Sequence, residues 1–218
     1  MEPAAEFGSL AMFPLQSAFL PGEDLPLQIF EPRYVALVRD CMGDNNPRFG
    51  TVLISQGREV GGGDLRCDVG TVARITECVE IAGSGRFMLR CKTSERIKVC
   101  EWLPDDPYPR AVVEGWPDEP GESVSVGQLD ELEDRMMALF ERIANARDLP
   151  VPDREEVLGS GIDFSDAGER LYALASRIPI GPADRYSVLS APTAHARLTA
   201  LTEAVDSVAA IIEFQLSQ

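Results

Sequence analysis

Over the first half of the chain, apolar and polar residues alternate in short runs. The runs are LAMFPL, LPLQIF, FGTVLIS, VGTVARITECVEI, RFMLRCKT, RIKVCEWL and RAVVEGW, all rich in β-branched and aromatic residues. Gly, Pro, Asn and Asp gather between them, which is the mark of strands joined by turns. In GTVARITECVEI, Val72, Arg74, Thr76, Cys78 and Glu80 interleave with Thr71, Ala73, Ile75, Glu77, Val79 and Ile81. One parity is mostly apolar, so one face of this strand is expected to be buried. AGSGRF, from Ala82 to Phe87, reads as the hairpin turn that follows it. Six or seven short strands predict a closed or nearly closed barrel. One helix interrupts them. Tyr34, Val35, Leu37, Val38, Cys41 and Met42 carry the i, i+3, i+4 spacing, and Pro32 suits the first helical position, where no N–H partner is needed.

The period then changes. PDEPGES, Pro117 to Ser123, is acidic, proline-rich and free of apolar periodicity, and reads as a linker. Beyond it the apolar steps are helical: Leu129, Leu132, Met136, Phe140 and Ile143; Leu171, Leu174 and Ile178; Leu198, Leu201, Val205, Val208 and Ile212. Pro182 opens a short helix through Leu189. The stretch Asp148–Phe164 is polar and long for a helix connection, a type of loop that is often mobile or functional. The expected fold class is α+β: a β-rich subdomain over 1–117, a linker over 118–124, and a helical bundle over 125–218.

Charge narrows the choice of partners. The 218 residues carry a net charge of −16. Up to Pro117 there are 17 acidic against 12 basic residues; after it, 19 against 8. A nucleic-acid partner needs a basic footprint, so the balance opposes one. The acidic N-terminus MEPAAEF lacks the basic start and apolar core of a signal peptide, and no apolar run reaches membrane-spanning length, so a cytoplasmic location is expected. Five cysteines, Cys41, Cys67, Cys78, Cys91 and Cys100, show no zinc or disulfide spacing; Cys78, Cys91 and Cys100 fall in apolar runs and read as small buried hydrophobes.

Reaction centres are hard to find. There is no P-loop and no dinucleotide fingerprint. GGGD, Gly61 to Asp64, reads as a flexible loop because no helix follows it. His195 is the only histidine and reads as a surface residue. Lys92 and Lys98 lie in alternating strand segments, which argues against a Ser-Lys dyad. The pairs Asp105/Asp106, Glu133/Asp134 and Glu155/Glu156 read as solvated carboxylates. No catalytic residue, metal site or cofactor is expected. What remains is recognition: Phe19, Leu20, Trp102, Leu103 and Tyr108 sit beside turn formers, and exposed together they would form a protein-binding patch. In PLQIFEPRY, the cluster of Glu31, Pro32, Arg33 and Tyr34 could be chemical or structural. The structural reading places Glu31 at the helix start, Arg33 paired with a carboxylate, and Tyr34 anchoring the helix.

The order of motifs carries a resemblance. MFPLQSAFLPGEDLPLQIFEPRYVALVRDCM, then FGTVLI, VGTVARITECVEIAGSGRF and YPRAVVEGW, resembles the N-terminal substrate-binding domain of Lon proteases, from about Leu10 to the C-terminus. The pattern FPL…LPG…LPL-x-IFE-x-RY fixes many residues at set spacing. The resemblance implies a β-rich, PUA-like pseudobarrel followed by a helical bundle. It also implies a non-catalytic role in a stand-alone protein: recognising unfolded or tagged polypeptides, or adapting them to a protease or chaperone, without ATPase or peptidase parts. Two other readings stay open: a PUA-like RNA-binding module, and a small-molecule protein using a cleft between barrel and bundle.

Overall fold

A computed structural model describes residues 6–57, 65–159 and 166–216. The chain divides into two compact units, Met1–Pro117 and Asp118–Gln218.

The first unit holds six strands and one helix: β1 (Glu6–Leu15), β2 (Asp24–Ile29), α1 (Pro32–Met42), β3 (Arg48–Gln56), β4 (Leu65–Ile81), β5 (Arg86–Leu103) and β6 (Arg110–Gly115). The sheet order is β2-β5-β4-β3-β1-β6, and β5 also pairs with β6. Five strands therefore close a ring, with β2 attached outside it along the first half of β5. All pairings are antiparallel except β1 with β3, which runs parallel from Met12↔Gly50 to Leu15↔Leu53.

Each ring strand sends residues inward. Leu10 and Met12, Val52, Val72, Ile97 and Val99, and Ala111 and Val113 fill the barrel. Two glycines make room. A Cβ on Gly50 would lie 2.5 Å from the Met12 sulfur, and one on Gly70 would lie 1.9 Å from the Thr51 carbonyl oxygen. A second core lies on the outer side of the sheet, where Phe13, Leu25, Ile29, Phe49, Phe87 and Leu89 meet Tyr34, Leu37, Val38 and Cys41 of α1. The predicted helical spacing is borne out, except that Met42 points to solvent at 46% exposure.

Two expectations for the strands need correction. The two runs RFMLRCKT and RIKVCEWL form one strand of 18 residues. Thr93–Glu95 is not a turn: the register steps from Thr71↔Arg96 to Ala73↔Thr93, so β5 bulges and bends there. That bend lets β5 serve β2 and β4 first and then β6. β4 does not bury one parity along its length either. Thr71, Val72 and Ala73 are all buried, because both sides of the sheet are covered there; Val79 is 59% exposed, because the β4–β5 ribbon has run past the barrel core and keeps only the outer core, on its opposite face. The ribbon ends in the predicted turn, where Gly83 and Gly85 take φ of 73° and 64°.

The second unit contains α2 (Val126–Ala146), α3 (Arg154–Leu158), α4 (Ala167–Ala175), α5 (Pro182–Ser190) and α6 (Ala194–Leu216). Ser125 and Gln128 close a capping box on α2. Leu132, Met136, Leu139, Leu171, Leu174, Val188, Leu201 and Val205 build the core. Val208 and Ile212 are only half-buried, so the apolar stripe of α6 outlasts its packing. The expected linker begins as part of this unit. Asp118 pairs with Arg197, the Glu119 N–H donates to the Pro192 carbonyl at 2.8 Å, and Gly121 packs on Thr193. Of the stretch 148–164, residues 160–164 lie outside the described residues, and α3 within the rest is pinned rather than loose. Val157 and Leu158 of α3 are buried, and Arg154 reaches Asp134 and Glu133 on α2. Glu133 also accepts from Arg170 at 2.6 and 3.0 Å, so it is a paired, mostly buried acid and not a solvated one. No helix among the described residues is long and apolar enough to cross a membrane.

Candidate functional site

The Glu31–Tyr34 corner is built from β2 running into α1. Glu31 is the N-cap residue, with extended backbone (φ −74°, ψ 135°), and its carbonyl accepts from the N–H groups of Tyr34 and Val35. Its carboxylate makes no cap; it accepts from Arg33 Nε at 3.1 Å. Pro32 fills the first helical position. The Arg33 guanidinium lies 4.5 Å over the Tyr34 ring, which stacks on Phe13 of β1 at 4.0 Å. Further along the helix Asp40 accepts from the Tyr108 hydroxyl at 2.7 Å. Burial, followed by the hydrogen bond and charge of Asp40, pushes the Tyr108 phenol up to about 12. These contacts seat α1 on the sheet.

Of the five residues expected to form a binding patch, Leu20 is fully buried and Tyr108 is 9% exposed. Both are core, which corrects that expectation. Leu20 is drawn in by its own loop: its N–H donates to the Glu23 carboxylate, and its carbonyl accepts from Thr93 Oγ1 at 2.6 Å. Phe19, Trp102 and Leu103 are half-buried. Phe19 packs against the outer core and Trp102 against the barrel interior, so the two aromatics belong to separate clusters. Trp102 also carries the Arg66 guanidinium at 4.8 Å, and Arg66 grips Asp105 through both terminal nitrogens, at 3.1 and 2.8 Å.

The exposed apolar surface of this unit lies elsewhere, on the face of β2, β5 and β4 that turns away from α1. Val79 and Met88 are direct cross-strand partners, 59% and 55% exposed. Gln28 pairs with Met88 on the other side, and Phe30, one residue past β2, is 53% exposed. Along β5 the same face shows Arg86, Met88, Arg90 and Lys92 in alternation, all exposed. Arg90 meets Glu77 at 3.5 Å and Lys92 meets Asp24 at 3.0 Å. Among the described residues Arg86 has no ion-pair partner. The signal for this face was present in the alternation: Phe30 and Met88 are apolar at positions whose parity belongs to solvent, beside Ile29, Phe87 and Leu89 on the buried parity.

The remaining polar chemistry is dispersed. Cys41 and Cys91 are buried, Cys78 is half-buried and Cys100 is exposed. Cys100 departs from expectation because it is the extra residue of a bulge between Val99↔Val113 and Glu101↔Val112. Burial first, then Asp44 and Asp40, pushes the Cys41 thiol up to about 12; burial, then Cys78 and Cys41, does the same to Cys91. His195 opens α6 with Nε2 3.9 Å from Glu122, beside a groove of about 240 Å³ lined by Gln128, Glu131, Arg135, Thr199 and Glu203. No group of three or more His, Cys, Asp or Glu among the described residues could hold a metal ion. The GGGD stretch lies outside the described residues.

Comparison with known proteins gives one consistent answer. The family model for the ATP-dependent protease La (LON) substrate-binding domain matches residues 9–207. A Lon protease of Anaeromyxobacter dehalogenans (strain 2CP-C) is 33% identical over 108 residues, 48% of this chain but only 12% of that protease. The crystal structure of a Lon N-terminal domain protein from Xanthomonas campestris superposes with a TM-score of 0.61 at 25% identity, covering 89% of this chain and 97% of the other. The N-terminal domain of a Mycobacterium avium complex Lon protease shares the fold, with a TM-score of 0.50 at 15% identity over 96% and 98% of the two chains. With the match running through both units and the FPL…IFE-x-RY corner seating α1 on the barrel, the chain belongs to the Lon substrate-binding domain family.

Proposed function

We propose that this chain is a non-catalytic polypeptide-recognition module, which binds unfolded or tagged protein segments through its barrel unit. Membership of the Lon substrate-binding domain family carries the reading. The exposed Val79, Met88 and Phe30 face supports it, since large apolar side chains held in solvent on a rigid sheet are a usual mark of protein contact. Recognition of this kind needs no nucleophile or metal. A PUA-like character for the barrel and a cytoplasmic setting go with this proposal. The test is direct: fluorescence anisotropy of a reduced and carbamidomethylated, permanently unfolded polypeptide titrated with the chain. Saturable binding, absent with the unmodified, disulfide-bonded and folded form of that polypeptide, is the expected result. Absence of binding up to millimolar protein would sink the reading.

A further inference from the structure

The face around Met88 differs from the rest of the molecule in charge as well as polarity. The chain carries −16 overall. On this face three cations stand in one row, Arg86, Arg90 and Lys92, against two acids, Glu77 and Asp24. The acids are committed to Arg90 and Lys92. Among the described residues Arg86 is left over, exposed, at the end of the row. It is the cross-strand partner of Ile81, one step along from the Val79–Met88 pair. The face is thus apolar with a surplus positive charge, on a chain that carries −16 overall.

The edge beside it is shaped against a different mode of binding. β2 is the outer strand of the sheet, so an added strand would pair with it. The Thr93 N–H donates to the Glu23 carbonyl and the Thr93 carbonyl accepts from the Gly22 N–H, so Thr93 turns its backbone toward the β2 side. By the alternation of an antiparallel ladder, Leu25, Leu27 and Ile29 then turn their backbone groups to β5, and Asp24, Pro26 and Gln28 turn theirs outward. Pro26 has no N–H to offer at the centre of that open edge. At that edge a partner gains little by extending the sheet.

The geometry points to side-chain docking across the sheet face: an amphipathic polypeptide segment lays apolar side chains over Val79, Met88 and Phe30 and sets a carboxylate against Arg86. This deepens, and rests on, the proposal of polypeptide recognition. It names the class of segment taken, apolar with an acidic flank, and the face that takes it.

Two synthetic peptides of about 20 residues, long enough to form a helix, provide the probe. Both carry Leu and Phe at i, i+3, i+4 and i+7; one has Glu at the flanking positions and the other has Lys. At about 0.15 M salt, where charges more than about 8 Å away are screened, the Glu peptide should bind about two- to fivefold more tightly, the range an exposed ion pair supplies. Arg86→Glu should invert that preference. Met88→Asp should weaken both peptides about tenfold or more, as loss of a central apolar anchor does. Both positions are exposed, so both variants should keep the wild-type melting temperature. Equal affinity for the two peptides, or a preference that survives Arg86→Glu, overturns the charge assignment. Unfolded-polypeptide binding that is indifferent to Met88→Asp overturns the face while leaving polypeptide recognition standing. Failure of every peptide and of the unfolded polypeptide overturns the underlying reading instead.

Discussion

Arg197 heads the side chains that are wholly inside the protein, and Asp118 carries its counter-charge. Both terminal nitrogens of Arg197 donate to the two carboxylate oxygens, the guanidinium stacks 3.8 Å over the Tyr172 ring, and Nε has no hydrogen-bond partner among the described residues. Gly168 sits so close that a Cβ would come within 2.7 Å of the Asp118 carboxylate and 2.8 Å of Arg197. The other acid at this spot is Asp166, whose Oδ1 lies 3.1 Å from the same Cβ but is already committed to capping α4, where it accepts from the Glu169 N–H. Asp118→Asn should therefore leave a cation stranded in low dielectric. Breaking a fully buried pair costs about 3–5 kcal/mol; with Asp118 itself 33% exposed, about 2–4 kcal/mol is the better figure. For a unit the size of Asp118–Gln218, that lowers Tm by roughly 10–20 °C. Calorimetry or far-UV circular dichroism reads it. The partner experiment is Arg197→Met, which keeps an unbranched chain over Tyr172 and removes the charge. The double variant should cost less than the sum of the two singles by more than about 1 kcal/mol. An Asp118→Asn protein melting within about 3 °C of wild type, or a cycle with no coupling, would refute the claim that the pair is held against solvent.

Three other outcomes follow from the packing. Gly70→Ala should destabilise more than Gly50→Ala in the same melts, because the first Cβ meets a backbone carbonyl and the second only the movable end of Met12; the Gly50 variant should lose about 1–3 kcal/mol. Cys41, Cys91 and Tyr108 all have pKa values raised in the folded chain, to about 12 from ordinary values of 9.0 for the thiols and 10.0 for the phenol. The unfolded chain then releases their protons first as pH rises, so stability is intact below pH 9 and falls between about 9 and 12. Denaturant titrations across that range check it, and a flat profile would count against the burial of all three. Glu133→Gln should weaken the grip of Arg170 and Arg154 and raise amide exchange across residues 148–159; unchanged exchange there would show that Val157 and Leu158 hold α3 by themselves.

Local signals carried much of this architecture. The spacing of Tyr34, Leu37, Val38 and Cys41 was enough for α1, and two glycines around Ser84 were enough for the hairpin. Neighbours in sequence decide such features. The failures occurred where distant residues decide. Thr93–Glu95 looks like a break in any window, and becomes a bulge only because β4 and β6 pair on either side of it. Leu20 and Tyr108 sit beside prolines and glycines, yet Thr93 and Asp40, 73 and 68 positions away, fold them inward. Asp118 sits in a stretch that reads as linker, and its partner lies 79 residues downstream. Met88 and Phe30 were readable as out-of-phase apolar residues, but only once the buried parity of β5 and β2 was known.

The ring closes through its first and last strands. β1 meets β6 with Leu10 opposite Ala111, a separation of about a hundred residues, while the other flank of β1 runs beside β3. The closing contact is thus the least local one in the barrel, the kind that slows folding. During synthesis the free flank of β1 stays open until Arg110–Gly115 has left the ribosome. A nascent chain shorter than that presents two unpaired strand edges, and the last six-residue strand removes both at once. Any truncation before Arg110 should yield an aggregating fragment, not a smaller barrel. Until that strand emerges, the first hundred or so residues are themselves exposed polypeptide.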